Sequence, residues 1–378
     1  MYKRQDLNHA RDIFVYDRRT GQISRVSVSS AGEEANDDSF KPTISADGGR
    51  VAFHSEATNL VPGDSNGCWD VFVHDRATGQ TRCASLDWQG APGNDHSIQA
   101  KFSANGRYVI FHSRAALVPD DTNGQWDVYV YDVGAESIAR ISVGTLGEQG
   151  NSWSEHATIS GDGAWAAYHS AATTLVPGDS NGVVDVFLYE ARSQTTTRIS
   201  LAYDGGEANG TSSFPCFSAD GRFVAFDSEA SNLVPGDTNG VFDVFVYELA
   251  SGRIRRVSVN SQGGEGNGDS MRPFLSADGR YVTFFSGASN LVPGDWNGAL
   301  DVFVHDCQTG QTSRVSVRSD GGEANGGSSF ATISGDGRYV AFHSFATNLA
   351  LDDTNWKSDV FVHWCWPSPS LGFIEPIR

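Results

Sequence analysis

The sequence predicts an all-β fold: a six-bladed β-propeller of four-stranded antiparallel blades, with the ring closed by an N-terminal strand. Three observations lead there. The phrase Asp-x-Asn-x-x-x-Asp occurs seven times, with closing aspartates at Asp12, Asp70, Asp127, Asp185, Asp243, Asp301 and Asp359, in steps of 58, 57, 58, 58, 58 and 58 residues. Nearly every copy runs into Val-Phe or a close equivalent, the start of an alternating strand such as Asp243-Val244-Phe245-Val246-Tyr247. Nothing in the chain has helical period. In 378 residues a constant period argues for one repeat domain rather than several ordinary ones.

One repeat shows the four strands. Pro215-Cys216-Phe217-Ser218 is a short apolar run (strand A). Ala219-Asp220-Gly221-Arg222 is a turn of the Asp-Gly type, and Phe223–Ser228 is the alternating strand B. A long loop, Glu229–Phe242, carries the repeated phrase, and strand C begins at Asp243. Ser251-Gly252 turns the chain into strand D, Arg256-Val257-Ser258-Val259. Ser45, Ser103, Ser160, Ser218, Ser276 and Ser334 each open an A–B turn, so six A strands and six blades are expected. The last blade lacks an evident D strand, and Arg25-Val26-Ser27-Val28 is expected to supply it and close the ring. Asp12–Tyr16 is then a spare C-like strand. Residues 1–365 are read as one propeller and 366–378 as an irregular tail.

The segment Ser218-Ala219-Asp220-Gly221-Arg222-Phe223-Val224-Ala225-Phe226 resembles the repeat of TolB-type, WD-repeat-like propellers. The longer phrase Ser231-Asn232-Leu233-Val234-Pro235-Gly236-Asp237-Thr238-Asn239-Gly240 is similar to a bacterial subgroup of that family. The resemblance covers about residues 6–365 and implies the fold. It implies no single activity, because such propellers serve as scaffolds, binding modules and enzyme domains.

The net charge is −19, which makes nucleic acid an unsuitable partner. No apolar run approaches membrane-spanning length. Met1-Tyr2-Lys3-Arg4-Gln5 runs straight into the first loop without a leader pattern, and a secreted or periplasmic setting is the expectation. Cys68, Cys83, Cys216, Cys307 and Cys365 do not recur with the repeat and read as lone thiols.

The repeated loop suggests calcium. Alternating oxygen-bearing side chains in a tight turn, with Gly allowing the turn, are what a hard cation needs. The metal ligands expected are Asp64, Asn66 and Asp70; Asp121, Asn123 and Asp127; Asp179, Asn181 and Asp185; Asp237, Asn239 and Asp243; and Asp295, Asn297 and Asp301. Copies at Asp6 and Asp353 lack the Gly and are expected to be weak or empty. The loop alone offers too few ligands, so water, carbonyls or the D–A loop must complete the set. The structural alternative is that Asp and Asn order the loop through Asx turns without metal. The D–A loops repeat Gly-Glu-x-Asn, as in Gly206-Glu207-Ala208-Asn209, and are expected on the same face.

Trp69, Trp126 and Trp296 sit in or beside these loops and could stack on a sugar. His54, His112, His169 and His343 end four B strands and read as structural or channel-lining groups. Gly63-Asp64-Ser65-Asn66-Gly67 matches a nucleophile-elbow pattern, but no helix follows it. The function expected is a calcium-binding, non-enzymatic binding or scaffold module for a glycan or protein ligand. The alternatives are a propeller polysaccharide lyase or glycosidase, which requires a non-repeating cluster, and an architectural subunit of a larger assembly.

Overall fold

The computed structural model describes residues 8–350, 353 and 356–365, and the backbone of Ile374–Pro376. Strands β1 (Phe14–Asp17) and β2 (Gln22–Arg25) form a two-stranded sheet, and six four-stranded sheets follow. They are β3 (Ser39–Ile44), β4 (Arg50–Ser55), β5 (Asp70–Asp75) and β6 (Gln80–Cys83); then β7 (Ser97–Phe102), β8 (Tyr108–Ser113), β9 (Asp127–Asp132) and β10 (Ser137–Arg140); then β11 (Ser154–Ile159), β12 (Trp165–Ser170), β13 (Asp185–Glu190) and β14 (Thr195–Arg198). The remaining three are β15 (Ser212–Phe217), β16 (Phe223–Ser228), β17 (Asp243–Glu248) and β18 (Arg253–Arg256); β19 (Ser270–Leu275), β20 (Tyr281–Ser286), β21 (Asp301–Asp306) and β22 (Gln311–Arg314); and β23 (Ser328–Ile333), β24 (Tyr339–Ser344), β25 (Asp359–Trp364) and β26 (Ile374–Pro376). The strands of each sheet are hydrogen-bonded in chain order. No described helix is long and apolar enough to cross a membrane.

The chain divides into two compact units, residues 1–179 with 188–197, and residues 180–187 with 198–378. Within each, the second and third strands of a sheet bury facing aromatics. Phe53 and Phe72 pair with ring centroids 5.9 Å apart in the first unit, as do Phe284 and Phe303 at 5.8 Å in the second. Such pairs add about 1 kcal/mol beyond the area they bury. The A–B turn is built as the sequence suggests. Ser218 Oγ donates to Asp220 Oδ1 at 2.6 Å and accepts from the Phe223 N–H at 3.0 Å, while Gly221 takes a φ of +72°. The same turn touches the next sheet: a Cβ on Gly279 would lie 2.2 Å from the Phe223 ring, so only glycine fits there.

The N-terminal segment departs from the expectation of ring closure. β2 pairs with β1, and β25 takes its fourth neighbour from Ile374–Pro376 instead. The reason is local. The Gly21 N–H bonds the Asp17 carbonyl at 2.8 Å, closing a tight hairpin, and Ser27 Oγ donates to Asp12 Oδ1 at 2.6 Å. The first copy of the repeat thus keeps its own C and D strands together, which a transfer of β2 to the last sheet would break. The tail expected to be irregular contains the short strand β26; residues 366–373 and 377–378 lie outside the described residues.

All six first strands share an irregularity that the sequence hides. Their pairing slips by one residue, between Phe40 and Thr43, Ile98 and Lys101, Glu155 and Thr158, Ser213 and Cys216, Met271 and Phe274, and Ser329 and Thr332. Each bulge holds a non-glycine residue at positive φ: Lys41, Gln99, His156, Phe214, Arg272 and Phe330, at 45° to 59°. Bulges with strained dihedrals cluster at functional sites.

Candidate functional site

The repeated loops fold into a cage that already contains a cation. In the loop Asp237–Asp243 the closing Asp243 is fully buried. Its Oδ1 accepts from the Ser258 hydroxyl, and its Oδ2 accepts from Asn239 Nδ2 at 2.8 Å. Arg256, on the D strand, places Nη1 3.0 Å from Asp237 Oδ1, 3.1 Å from Asp243 Oδ2 and 3.0 Å from Glu265 Oε2 of the D–A loop. Arg314 repeats this with Asp295, Asp301 and Glu323 at 3.1, 3.2 and 3.0 Å. Arg198 contacts Asp185 at 3.2 Å and Glu207 at 3.3 Å, and Arg140 lies 3.4 Å from Asp121 Oδ1. Arg25 ion-pairs with Asp12 and Glu34. A guanidinium nitrogen therefore stands among the carboxylates where the sequence suggested an ion.

Asn of the phrase serves as a brace. Asn66, Asn123, Asn181, Asn239 and Asn297 each donate Nδ2 to the closing aspartate, and each Oδ1 accepts a backbone N–H two residues on. This is an Asx turn. The D–A and B–C loops meet, as expected: Asn209 Nδ2 donates to Ser231 Oγ at 2.9 Å, and Asn267 Nδ2 to Ser289 Oγ at 3.0 Å. The repeated glutamates close the cage. Glu207 accepts from Ser180 N–H at 2.6 Å, and Glu323 from Trp296 N–H at 2.7 Å; those hydrogen bonds hold both carboxyls below the usual range. Burial pushes Asp127, Asp237 and Asp295 up to about 6, against the pull of the nearby arginines.

The loop Asp64–Asp70 departs from this plan. Cys83 stands at the arginine position and Pro92 at the glutamate position. Asp70 keeps its bonds from Ser85 Oγ and Asn66 Nδ2, both at 2.6 Å, but burial raises it to about 7. Asp64 is also buried, and its Oδ1 accepts no hydrogen bond. Asp6 and the pair Thr354-Asn355, from the two weak copies, lie outside the described residues.

A second arrangement lies on the bulged strands and does not repeat. In the first unit, ligand atoms of Glu155, His156 and His169 lie within 4.8 Å of one another. Glu155 and His169 are cross-strand partners, and the bulge turns His156 toward them in the left-handed conformation, at φ 52°. His112 is next to them, with its ring 5.7 Å from that of His156. It is 2% exposed, its Nδ1 has no hydrogen-bond partner, and burial drives its pKa well below the ordinary histidine value. Trp126 and Trp153 stand edge-on to His112 and His169, at 5.2 and 5.6 Å. Two imidazoles and a carboxylate form a donor set suited to zinc, manganese or iron.

In the second unit the same positions hold other chemistry. Arg272 stacks its guanidinium 3.5 Å from the Phe214 ring centroid, and its backbone N–H donates to Asp227 Oδ2 at 2.9 Å. Phe330 lies between Phe285 and His343. Of the expected aromatic ligands, Trp69 and Trp126 pack against His54 and His112, whereas Trp296 is 86% exposed. Sequence reasoning takes the B-strand histidines as structural or channel-lining and does not single out Glu155 or His156. The available signal was that the position of residue 156 is outside the repeated pattern, with Lys, Gln, Phe, Arg and Phe at its counterparts.

No family model matches the chain, and no curated protein matches it. Solved structures do. A putative TolB from Agrobacterium tumefaciens is 16% identical with a TM-score of 0.46, over 80% of this chain and 87% of that one. An oligogalacturonate lyase from Vibrio parahaemolyticus is 12% identical with a TM-score of 0.53, over 93% and 81%. The acylaminoacyl peptidase of Pyrococcus horikoshii is 9% identical with a TM-score of 0.53, over 93% of this chain but 46% of its own length. The chain thus spans about half of that peptidase. The likeness to the lyase and the peptidase shows the fold alone, the repeated antiparallel sheets of a β-propeller.

Proposed function

We propose that the chain is a metal-dependent binding module on a β-propeller frame, each four-stranded sheet being one of six blades. The ion is a transition metal held by Glu155, His156 and His169. The observation that carries this is the convergence of those three ligand atoms within 4.8 Å, at a bulge whose counterparts carry unrelated residues. A trio of protein ligands leaves coordination positions open for a ligand oxygen. Trp126 and Trp153 beside the histidines suit a sugar ring, so a glycan is the preferred ligand over a protein. A secreted or periplasmic setting fits such a ligand.

Titrating zinc and manganese into chelator-treated protein by calorimetry tests the reading. One ion per chain is expected, with affinity falling at least tenfold in His169→Ala. Unchanged binding in that variant overturns it.

An enzymatic reading has one observation in its favour. Residues 41, 99, 156, 214, 272 and 330 carry five different residue types in six sheets, and catalysis needs such asymmetry, whereas a scaffold built from copies does not. In a polysaccharide lyase the metal would neutralise a uronate carboxylate, and His112, held neutral by burial, would take the proton from the adjacent carbon; the glycosidic carbon–oxygen bond one carbon further on would break, and the leaving sugar would depart as an alcohol with a proton from water. Incubation with polyuronates and manganese, followed by ultraviolet absorbance of the unsaturated product, distinguishes lyase from lectin.

A further inference from the structure

We infer that the loop Asp64–Asp70 is a separate divalent-cation site, a copy of the repeated cage in which an external ion takes the place of the internal arginine. The argument rests on comparison of equivalent atoms. In three cages the first aspartate's Oδ1 faces an arginine Nη1: Asp121 at 3.4 Å, Asp237 at 3.0 Å and Asp295 at 3.1 Å. Asp64 Oδ1 is the same atom in the same fold. It belongs to a side chain 8% exposed and accepts no hydrogen bond. No arginine stands thirteen residues after Asp70 to meet it, because residue 83 is a cysteine.

The two replacements are coupled in chemical sense. A cage with Asp, Asp, Glu and Arg carries a net charge of −2. With Cys83 for the arginine and Pro92 for the glutamate, Asp64 and Asp70 give −2 once both are ionised, with no cation among the described side chains of the cage. A dication neutralises that charge. Cys83 and Pro92 both line a cleft of about 690 Å³. Asp70 stays fixed by Ser85 and Asn66, which preserves the geometry in the absence of arginine.

Two carboxylates with little else from the protein favour an ion that retains water. Magnesium binds in this way, and calcium accepts the same ligands with further waters. The soft donors of the histidine site are absent from this pair of oxygens, so the two sites select different metals.

Thermal unfolding of the full chain in a His169→Ala background, after chelator treatment, tests the assignment free of the histidine site. Addition of 10 mM magnesium or calcium chloride, against sodium chloride of equal ionic strength, is expected to raise Tm by about 2 °C. Asp64→Asn should remove the rise. The double variant Cys83→Arg, Pro92→Glu rebuilds the internal cage; it should melt higher than its parent without metal and show no rise on addition of either ion. The inference is overturned if the parent shows no rise, or if the rebuilt cage responds as the parent does.

Discussion

Arg256 Nη1 lies 3.1 Å from Oδ2 of Asp243, thirteen residues earlier across the C–D hairpin. Asp243 is fully buried and the guanidinium is 10% exposed, so this is an ion pair shielded from water and salt. Arg256→Met should cost about 3–5 kcal/mol in urea unfolding, because Asp237, Asp243 and Glu265 lose their shared cation at once. Adding Asp237→Asn to Arg256→Met should restore part of that loss; strictly additive losses would show that the cage is not a coupled unit.

Ser258 does two things for the same aspartate. Its hydroxyl donates to Asp243 Oδ1, and its oxygen accepts the Val244 N–H at 3.0 Å. Ser258→Ala strands a buried carboxylate oxygen and a buried backbone donor, and a loss of about 1–3 kcal/mol in chemical denaturation is expected. The counterparts Ser200 and Ser316, at 2.5 Å from Asp185 and Asp301, should behave alike.

His305 carries a pH dependence. Burial, reinforced by Arg255, lowers it from 6.5 to about 4, while its Nδ1 bonds Thr312 Oγ1 at 2.9 Å. The unfolded chain binds this proton first, so the stability is fully present above pH 6.5 and is lost as pH falls toward 4. The loss is on the order of 3 kcal/mol. His305→Tyr copies the residue at Tyr247 and should make the stability–pH slope in that window shallower by one proton. Chemical unfolding from pH 7 to 4 measures it; an unchanged slope contradicts the assignment.

His156 combines strain with ligation. Its φ of 52° is costly for a side-chain-bearing residue, so His156→Gly should stabilise the metal-free protein by about 1 kcal/mol. The same variant should weaken zinc or manganese binding by tenfold or more. Thermal melts with and without metal read both effects, and a variant that is destabilised in both conditions refutes the strain argument.

Much of this was written in plain view. The alternation around Phe223–Ser228 and Asp243–Tyr247, and the Ser218-Ala219-Asp220-Gly221 turn, were readable because strand and turn chemistry are local. The repeated loops were read as calcium sites. The arginine that stands among their carboxylates escaped notice because it joins across a hairpin, although Arg25, Arg140, Arg198, Arg256 and Arg314 recur thirteen residues after five of the seven closing aspartates. Ring closure by Arg25–Val28 was misread because counting strands says nothing of which partner a tight turn brings closest. The bulges were illegible: Lys41, Gln99 and Phe214 carry no mark of left-handed backbone.

Those bulges bear on how such a chain could acquire new specificities. A residue already outside the cross-strand ladder can be exchanged without shifting the register of its neighbours. Positions 41, 99, 156, 214, 272 and 330 are then six exchangeable letters on a duplicated frame, coupled where they touch, as Arg272 does Phe214, while the cages hold each copy in shape. A library randomised at those six codons would retarget the protein with the least risk to its folding.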